Sequence, residues 1–314
     1  MSRYIYICLI LLSTLSIAGD IGGFAGSFLR LGTSARSLAM GNAMTASVDR
    51  GFAGYHNPAS VVFLEKRQLS VLHHVMPLDR FLASVNVSFQ LPPTAGLSLA
   101  FVNSGVQGID GRDNSGHHTE TFSTSENAIF ISFANQFVKN LGVGVNVKVV
   151  FQSIPHPSAD AKGKSRGTGF DVGLMYKGFK NFDVGFVLQD YNTAYNWNTD
   201  EVYEESGQNY QDRFPMQVKT GIIYHPKSFN FSVDYVILSG NSGSVVDHRI
   251  MFGGEYEPIE NVFIRGGLND FVPAVGAGLN YSLFNRNDAY VDYAVRLGKG
   301  GEGISHIFTY VFTF

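Results

Sequence analysis

Cysteine is nearly absent. The single Cys8 lies in the first ten residues, so the rest of the chain has neither thiols nor disulfides, and its stability in an oxidising compartment must come from elsewhere. Charge is also scarce. Asp, Glu, Lys and Arg make up 16% of the sequence, against about 25% in soluble domains. A net charge of −3 gives no reason to expect a nucleic-acid partner. After the N-terminus no apolar run of helix length follows. A membrane protein with this sequence must therefore be a closed barrel, because in lipid only helices and barrels satisfy every backbone polar group.

The N-terminus reads Met-Ser-Arg, then apolar from Tyr4 to Leu15, then small through Ser16, Ile17, Ala18 and Gly19. That pattern is expected of a secretory signal peptide, residues 1–18, cleaved after Ala18 or Gly19. The run is too short for a helical anchor, which needs roughly 20 residues. Cys8 comes too early for a lipoprotein attachment site.

From about Arg67 to the C-terminus, fourteen period-2 segments of barrel-strand length succeed one another. Val143, Val145, Val147, Val149 and Phe151 alternate with Gly144, Asn146, Lys148, Val150 and Gln152. Phe229, Phe231, Val233, Tyr235 and Ile237 alternate with Asn230, Ser232, Asp234 and Val236. A soluble sandwich strand gives the same pattern, so the connections decide. Short, turn-forming links such as Pro92-Pro93, Val138 to Asn140 and His225 to Lys227 alternate with long stretches, Ser104 to Ser125, Ser153 to Gly167, Asp190 to Arg213 and Leu238 to Val246. Short links at one end and long loops at the other define an up-and-down outer-membrane barrel. The last strand carries His306, Phe308, Tyr310, Phe312 and Phe314 on one face. Phe312 and Phe314 are read as the signal for the barrel-insertion machinery. The expected fold is all-β: a 14-stranded antiparallel transmembrane β-barrel over residues 66–314, multi-pass in the outer membrane and in contact with its lipid.

On this reading the polar faces point inward. Lys148, Asp171, Lys219, Asp234, Arg249, Glu255, Arg265 and Asp292 then project into the lumen, four basic and four acidic. Balanced charges suit a self-neutralising network better than a permeation path. A barrel between the filled eight-stranded size and the open 16-stranded size encloses space that is either open or plugged. Residues 19–65, rich in Gly, Ala and Ser without alternation, supply the hatch, since irregular backbone is tolerated where protein covers it.

Phe28-Leu29-Arg30-Leu31-Gly32, Ala35-Arg36, Met40-Gly41 with Ala43, and Asn57-Pro58-Ala59 resemble the N-terminal pattern of the PorV/PorQ family, itself similar to FadL-type barrels. The resemblance implies a 14-stranded outer-membrane barrel with an N-terminal hatch, and in PorV/PorQ a protein-interaction role in type IX secretion. Arg36, Met40, Gly41, Asn57, Pro58 and Ala59 are the expected hatch-locking residues. Asn57-Pro58 is a turn initiator, and Arg36 can satisfy several acceptors at once. The FadL likeness implies instead the uptake of small hydrophobic molecules.

Enzyme chemistry is not expected, and neither a catalytic residue, a cofactor nor a metal is assigned. His73 and His74 are neighbours on one strand and face opposite sides, and the other histidines are scattered. Asp110 to Gly116 does not fit the calcium-loop template. Two kinds of partner remain, a secreted cargo or secretion-system protein, and a hydrophobic small molecule. The expectation here is the protein partner. No inward apolar run looks long enough for an acyl chain, and Tyr191, Tyr195, Trp197, Tyr203 and Tyr210 give the loop Asp190 to Arg213 an interface-like composition.

Overall fold

The computed structural model describes residues 24–155, 162–198, 208–240, 245–284, 287–298 and 301–314; the expected signal peptide and Tyr203 lie outside them. The strands are β1 (Gln68–Met76), β2 (Arg80–Leu91), β3 (Ala95–Arg112), β4 (His118–Val138), β5 (Leu141–Pro155), β6 (Lys162–Tyr176), β7 (Phe182–Tyr191), β8 (Ala194–Asn198) and β9 (Asn209–Arg213). They continue with β10 (Met216–Tyr224), β11 (Phe229–Ser239), β12 (Val245–Ile259), β13 (Val262–Asn269), β14 (Val272–Phe284), β15 (Asn287–Leu297) and β16 (Ile304–Thr313).

Fourteen of these pair antiparallel with their neighbours into a closed FadL-like barrel. The seam joins β1 to β16, from Gln68 opposite Thr313 to Val75 opposite His306. The Phe314 N–H donates to the Arg67 carbonyl at 3.0 Å, so the final aromatic is tied into the seam. β8 and β9 are a separate hairpin whose backbone pairing with the wall, among the described residues, is with β6, at Ser165–Trp197 and Arg166–Asn196. None of the described helices is long and apolar enough to cross a membrane.

The alternation in the sequence becomes an inside-out wall. In β16, Phe308, Tyr310 and Phe312 are exposed while Ile307, Thr309, Val311 and Thr313 are buried. In β11, Phe231, Val233 and Tyr235 face out and Ser232, Asp234 and Val236 face in. At the short-turn end, outward rings pair across strands: Phe229 opposite Tyr256, centroids 4.4 Å apart, and Phe182 opposite Tyr224, 4.6 Å. Such pairs stabilise adjacent strands, and an aromatic girdle marks the edge of an apolar band.

The long-loop end departs from expectation. Ser104 to Ser125 is largely not a loop: β3 runs on to Arg112 and β4 starts at His118, with Ile109 opposite Phe122 and two register shifts. Within Asp190 to Arg213 the chain forms the β8–β9 hairpin. Both faces of these extensions carry polar residues, so the apolar alternation that signals a strand is missing although backbone pairing continues. That end also carries tight connections, with Leu78–Asp79 and Asp270–Phe271 all at positive φ, the geometry of primed hairpin turns.

Residues 27–64 lie against the inward faces of the strands. Ser34 caps the short helix Ala35–Ala39 by accepting from the Ser37 N–H at 2.9 Å. Asn57 caps the 3-10 turn Pro58–Phe63 by accepting from the Ala59 N–H at 3.0 Å, with Pro58 at the first position where its missing N–H costs nothing. From residue 39 to 46 the segment crosses β14, β13, β12, β10 and β7, and from 57 to 64 it crosses β6, β5, β3 and β2. Its track is marked by inward glycines. Gly276, Gly267, Gly253, Gly221 and Gly185 lie along the first crossing, and Gly173, Gly144, Gly142 and Gly96 along the second. A Cβ at Gly144 would come within 2.4 Å of the Ala59 nitrogen, and one at Gly267 within 2.3 Å of the Gly41 nitrogen. The glycines are there for close backbone approach.

Candidate functional site

The lumen contains two different environments. The first is ionic and lies at mid-height. Arg36 grips Glu255 with two donors, Nε to Oε2 at 2.9 Å and Nη2 to Oε1 at 3.1 Å. Its Nη1 donates to the Val48 carbonyl at 3.2 Å and lies 3.7 Å from Asp49. Glu255 also accepts from Asn230 at 2.8 Å and from Arg265 at 2.6 Å, and Arg265 continues to Asp292. A planar fork meeting a carboxylate in two parallel bonds is the strongest common ion-pair geometry.

Across the barrel, Lys148 is fully buried between Asp171 at 2.7 Å and Asp190 at 2.6 Å. Asn146 and Gln217 donate to those two carboxylates, at 2.8 and 2.9 Å. Asp234 accepts the Thr45 N–H at 2.9 Å, a bond from wall to segment. The eight expected lumen charges all face inward, but they do not neutralise one another as a closed set. Arg249 pairs with Asp247 at 2.8 Å, Lys148 has Asp190 as a second partner, and Lys219 makes no ion pair among the described residues. Asp190, expected at the start of the loop that ends at Arg213, lies within β7. Its φ of 62° turns the chain so that the carboxylate points back to Lys148.

The residues expected to lock the hatch fall where tight backbone contact occurs. Met40 is fully buried, with its carbonyl over Gly253. Gly41 has φ 61°, and a Cβ there would meet the Leu268 and Phe252 carbonyl oxygens at 2.5 Å. Asn57 donates to the Thr45 carbonyl at 2.8 Å and to the Leu174 carbonyl at 3.0 Å, joining segment to itself and to β6. Pro58 and Ala59 lie on Gly144. His56, packed within the segment, is held well below the ordinary histidine range, at about 3. Burial is the main cause, reinforced by the charges of Lys219 and Arg36.

The second environment is apolar and lies toward the long-loop end. Leu72 and Met76 of β1, Leu82 of β2, Val102 of β3, Phe130 of β4, Val150 of β5 and Ile307 of β16 all face inward, against Phe28, Leu29, Phe52 and Tyr55 of the segment. Phe52 meets Phe130 edge-on, centroids 5.3 Å apart. The sequence shows no inward apolar run long enough for an acyl chain; the structure gathers inward apolar side chains across strands instead. The residues sit one or two per strand on six neighbouring strands, so the patch is invisible along any one strand and assembles only when the wall closes.

The aromatic loop needs a correction. Tyr195 is fully buried, its ring 5.0 Å from Phe214 and its hydroxyl donating to Glu126 at 3.3 Å. Trp197 is partly buried against the same apolar cluster. Of the five aromatics expected to meet a partner, Tyr191 and Tyr210 are exposed, at 56% and 62%. The hairpin turns Tyr195 down because a β8–β9 pair on β6 has one face toward the lumen. Among the described residues no cluster of His, Cys, Asp and Glu is placed to hold a metal.

The architecture is therefore that of a FadL-like β-barrel with an occupied lumen. Solved structures of that kind superimpose on it over most of their length. The Ralstonia pickettii toluene transporter TbuX matches with a TM-score of 0.64 and 16% identity, covering 90% of this chain and 98% of its own. The Pseudomonas putida toluene transporter TodX gives 0.62 and 14%, covering 90% and 99%, and the monoaromatic hydrocarbon channel CymD 0.61 and 15%, covering 90% and 98%. These neighbours are channels and transporters rather than enzymes. No protein-family model matches the chain, and no curated protein sequence does either, so the PorV/PorQ likeness stands on its short motifs alone.

Proposed function

We propose that this protein is an outer-membrane transporter that admits small hydrophobic molecules at its extracellular, long-loop end, with residues 24–64 as the hatch inside the barrel. The observation that carries this reading is the apolar cluster around Phe130 and Val102 at that end, bounded below by the ionic networks. A concave, mostly apolar site with a few polar anchors is what a hydrophobic ligand needs. The fold shared with the toluene transporters TbuX and TodX supports the same class of solute.

A role in presenting the surface to a secreted protein, as the PorV/PorQ likeness implied, rests on exposed Tyr191 and Tyr210. The test is uptake of radiolabelled toluene by cells that carry the protein as their only such barrel. A charge at the centre of the apolar cluster, Val102→Asp, is expected to lower uptake at least tenfold while the barrel still assembles. Unchanged uptake in the variant, or none above background with the intact protein, overturns the reading in favour of partner presentation.

A further inference from the structure

Toward the long-loop end the outer wall changes character along β3 to β6. Lower on these strands the outward positions carry Phe101, Ile129 and Phe170, all exposed. Nearer the loops they carry Asn103, Ser125, Asn127, Ser153, Lys164 and Arg166. These six lie side by side in register: Asn103 opposite Asn127, Ser125 opposite Ser153, Ser153 opposite Lys164, and Arg166 opposite Phe151. On β13 to β15 the outward residues at that end include Leu268, Val275 and Leu297, again exposed, so the polar face belongs to one side of the barrel.

Lys164 and Arg166 are exposed and stand two residues apart on one strand, which puts them on the same face about 7 Å apart. Among the described residues neither side chain has an ion-pair or hydrogen-bond partner. No carboxylate shares their face. The acids within residues 95–106, 124–138, 141–155 and 162–176 are Glu126 and Asp171; Asp171 is buried against Lys148, and Glu126 accepts from Tyr195 on the lumen side. Beside the cations the amides and hydroxyls form a small ladder. Asn103 Nδ2 donates to Asn127 Oδ1 at 2.7 Å, and Asn127 Nδ2 donates to Ser125 Oγ at 2.9 Å. That ladder leaves the Asn103 amide carbonyl and the Ser153 hydroxyl to bond outside the wall.

Charged side chains facing acyl chains are costly, so this part of the wall meets the headgroup layer. Two unpaired cations with no acid beside them attract an anion, and a phosphate can be shared between a forked guanidinium and an ammonium. Amides and hydroxyls both donate and accept, as sugar hydroxyls require. We infer that the outward face of β3 to β6 binds a phosphorylated glycolipid of the outer leaflet. Its phosphate lies on Lys164 and Arg166, its sugar on the Asn103–Asn127–Ser125 ladder and Ser153, and its acyl chains on Phe101, Ile129 and Phe170. The inference depends on the outer-membrane setting of the barrel and not on what the barrel transports.

The experiment is native mass spectrometry of the full-length purified barrel, titrated in detergent with diphosphoryl lipid A, with its dephosphorylated form and with phosphatidylglycerol. Diphosphoryl lipid A is expected to be retained at one site. Its affinity should fall roughly tenfold or more in the double variant Lys164→Gln/Arg166→Gln and about threefold in Asn127→Leu. It should be unchanged in Lys227→Gln, which removes an exposed cation at the opposite, short-turn end. Dephosphorylated lipid A should bind the native protein more weakly and bind the double variant equally well. Undiminished retention of diphosphoryl lipid A by the double variant overturns the site, as does an equal loss for the dephosphorylated form. Phosphatidylglycerol held as tightly as lipid A overturns the glycolipid assignment, and so does release of bound lipid A by equimolar inorganic phosphate. Heat-modifiability of each variant on gels shows that the barrel is intact.

Discussion

The loop half and the middle of the lumen hold the same N-terminal segment by opposite means. Toward the loops, Phe28, Leu29, Phe52 and Tyr55 meet Leu72, Leu82, Val102 and Phe130 through apolar contact. At mid-height, Arg36 is forked onto Glu255, Thr45 is bonded to Asp234, and the backbone of residues 39–46 and 57–62 runs over bare glycines. Apolar contacts are non-directional, so a hydrophobic solute can replace one side of them at small cost. Buried ion pairs and backbone-on-glycine contacts fit one partner in one geometry, and removing one member leaves the other stranded. On the proposed transporter reading, the lumen yields at its loop end and holds at its middle.

The most severe way to break that contrast is to remove the segment. Deleting residues 24–63 is expected to leave a barrel that inserts and conducts ions as an open pore in planar bilayers, where the full chain stays closed. Conductance no higher than that of the full chain would mean that the loops, foremost the extended β3–β4 hairpin, close the lumen instead. A smaller cut at the holding half is Arg36→Ala, which strands Glu255 between fewer cations. Loss of one partner from a buried pair costs about 3–5 kcal/mol. It should appear as protease sensitivity of residues 27–64 with barrel heat-modifiability retained, and protection equal to the native protein would count against the ionic lock.

Overpacking one glycine tests the belt. Gly144→Val pushes methyl groups into the Pro58–Ala59 backbone, and insertions into a packed interior cost about 1–3 kcal/mol. The same protease assay should show the second crossing, 57–64, released before the first. The gentlest probe is pH. Because burial depresses His56 to about 3 in the folded segment, its contribution is complete above its ordinary value near 6.5 and is lost as pH falls toward 3. At pH 5 the loss is about 2 kcal/mol, from roughly 1.36 kcal/mol per unit. Asp49, whose carboxyl burial raises above its ordinary value, takes up a proton more readily in the folded segment and so offsets part of that loss. Segment protection should therefore fall between pH 7 and 5 in the native protein and stay level in His56→Gln; identical pH profiles would show that His56 is not the sensor.

The barrel was readable from sequence because its constraint is local and repeated. A strand with lipid on one side and protein on the other must alternate, and all fourteen such segments, with the seam aromatics Phe312 and Phe314, follow from that rule alone. The inward direction of Lys148, Asp171, Glu255 and Arg265 follows too, since inside and outside are two parities of one count. The turn at Asn57-Pro58 was readable for a second local reason, an amide side chain able to cap the backbone followed by a residue of fixed φ.

What the tertiary structure decided are the relations between distant segments. Parity says that Arg265 faces in, but only the shear of β12 against β13 places it opposite Glu255, with Arg36 arriving from 219 residues away. Nothing local shows that the strand glycines serve the segment lying on them. Tyr195 read as a surface residue because nothing local shows which face of a loop hairpin will meet the lumen. The apolar cluster stayed hidden for the same reason, since its members are spread over strands from Leu72 to Ile307. Sequence determines what each residue can face; closure of the barrel around its own N-terminal segment determines which residues it faces.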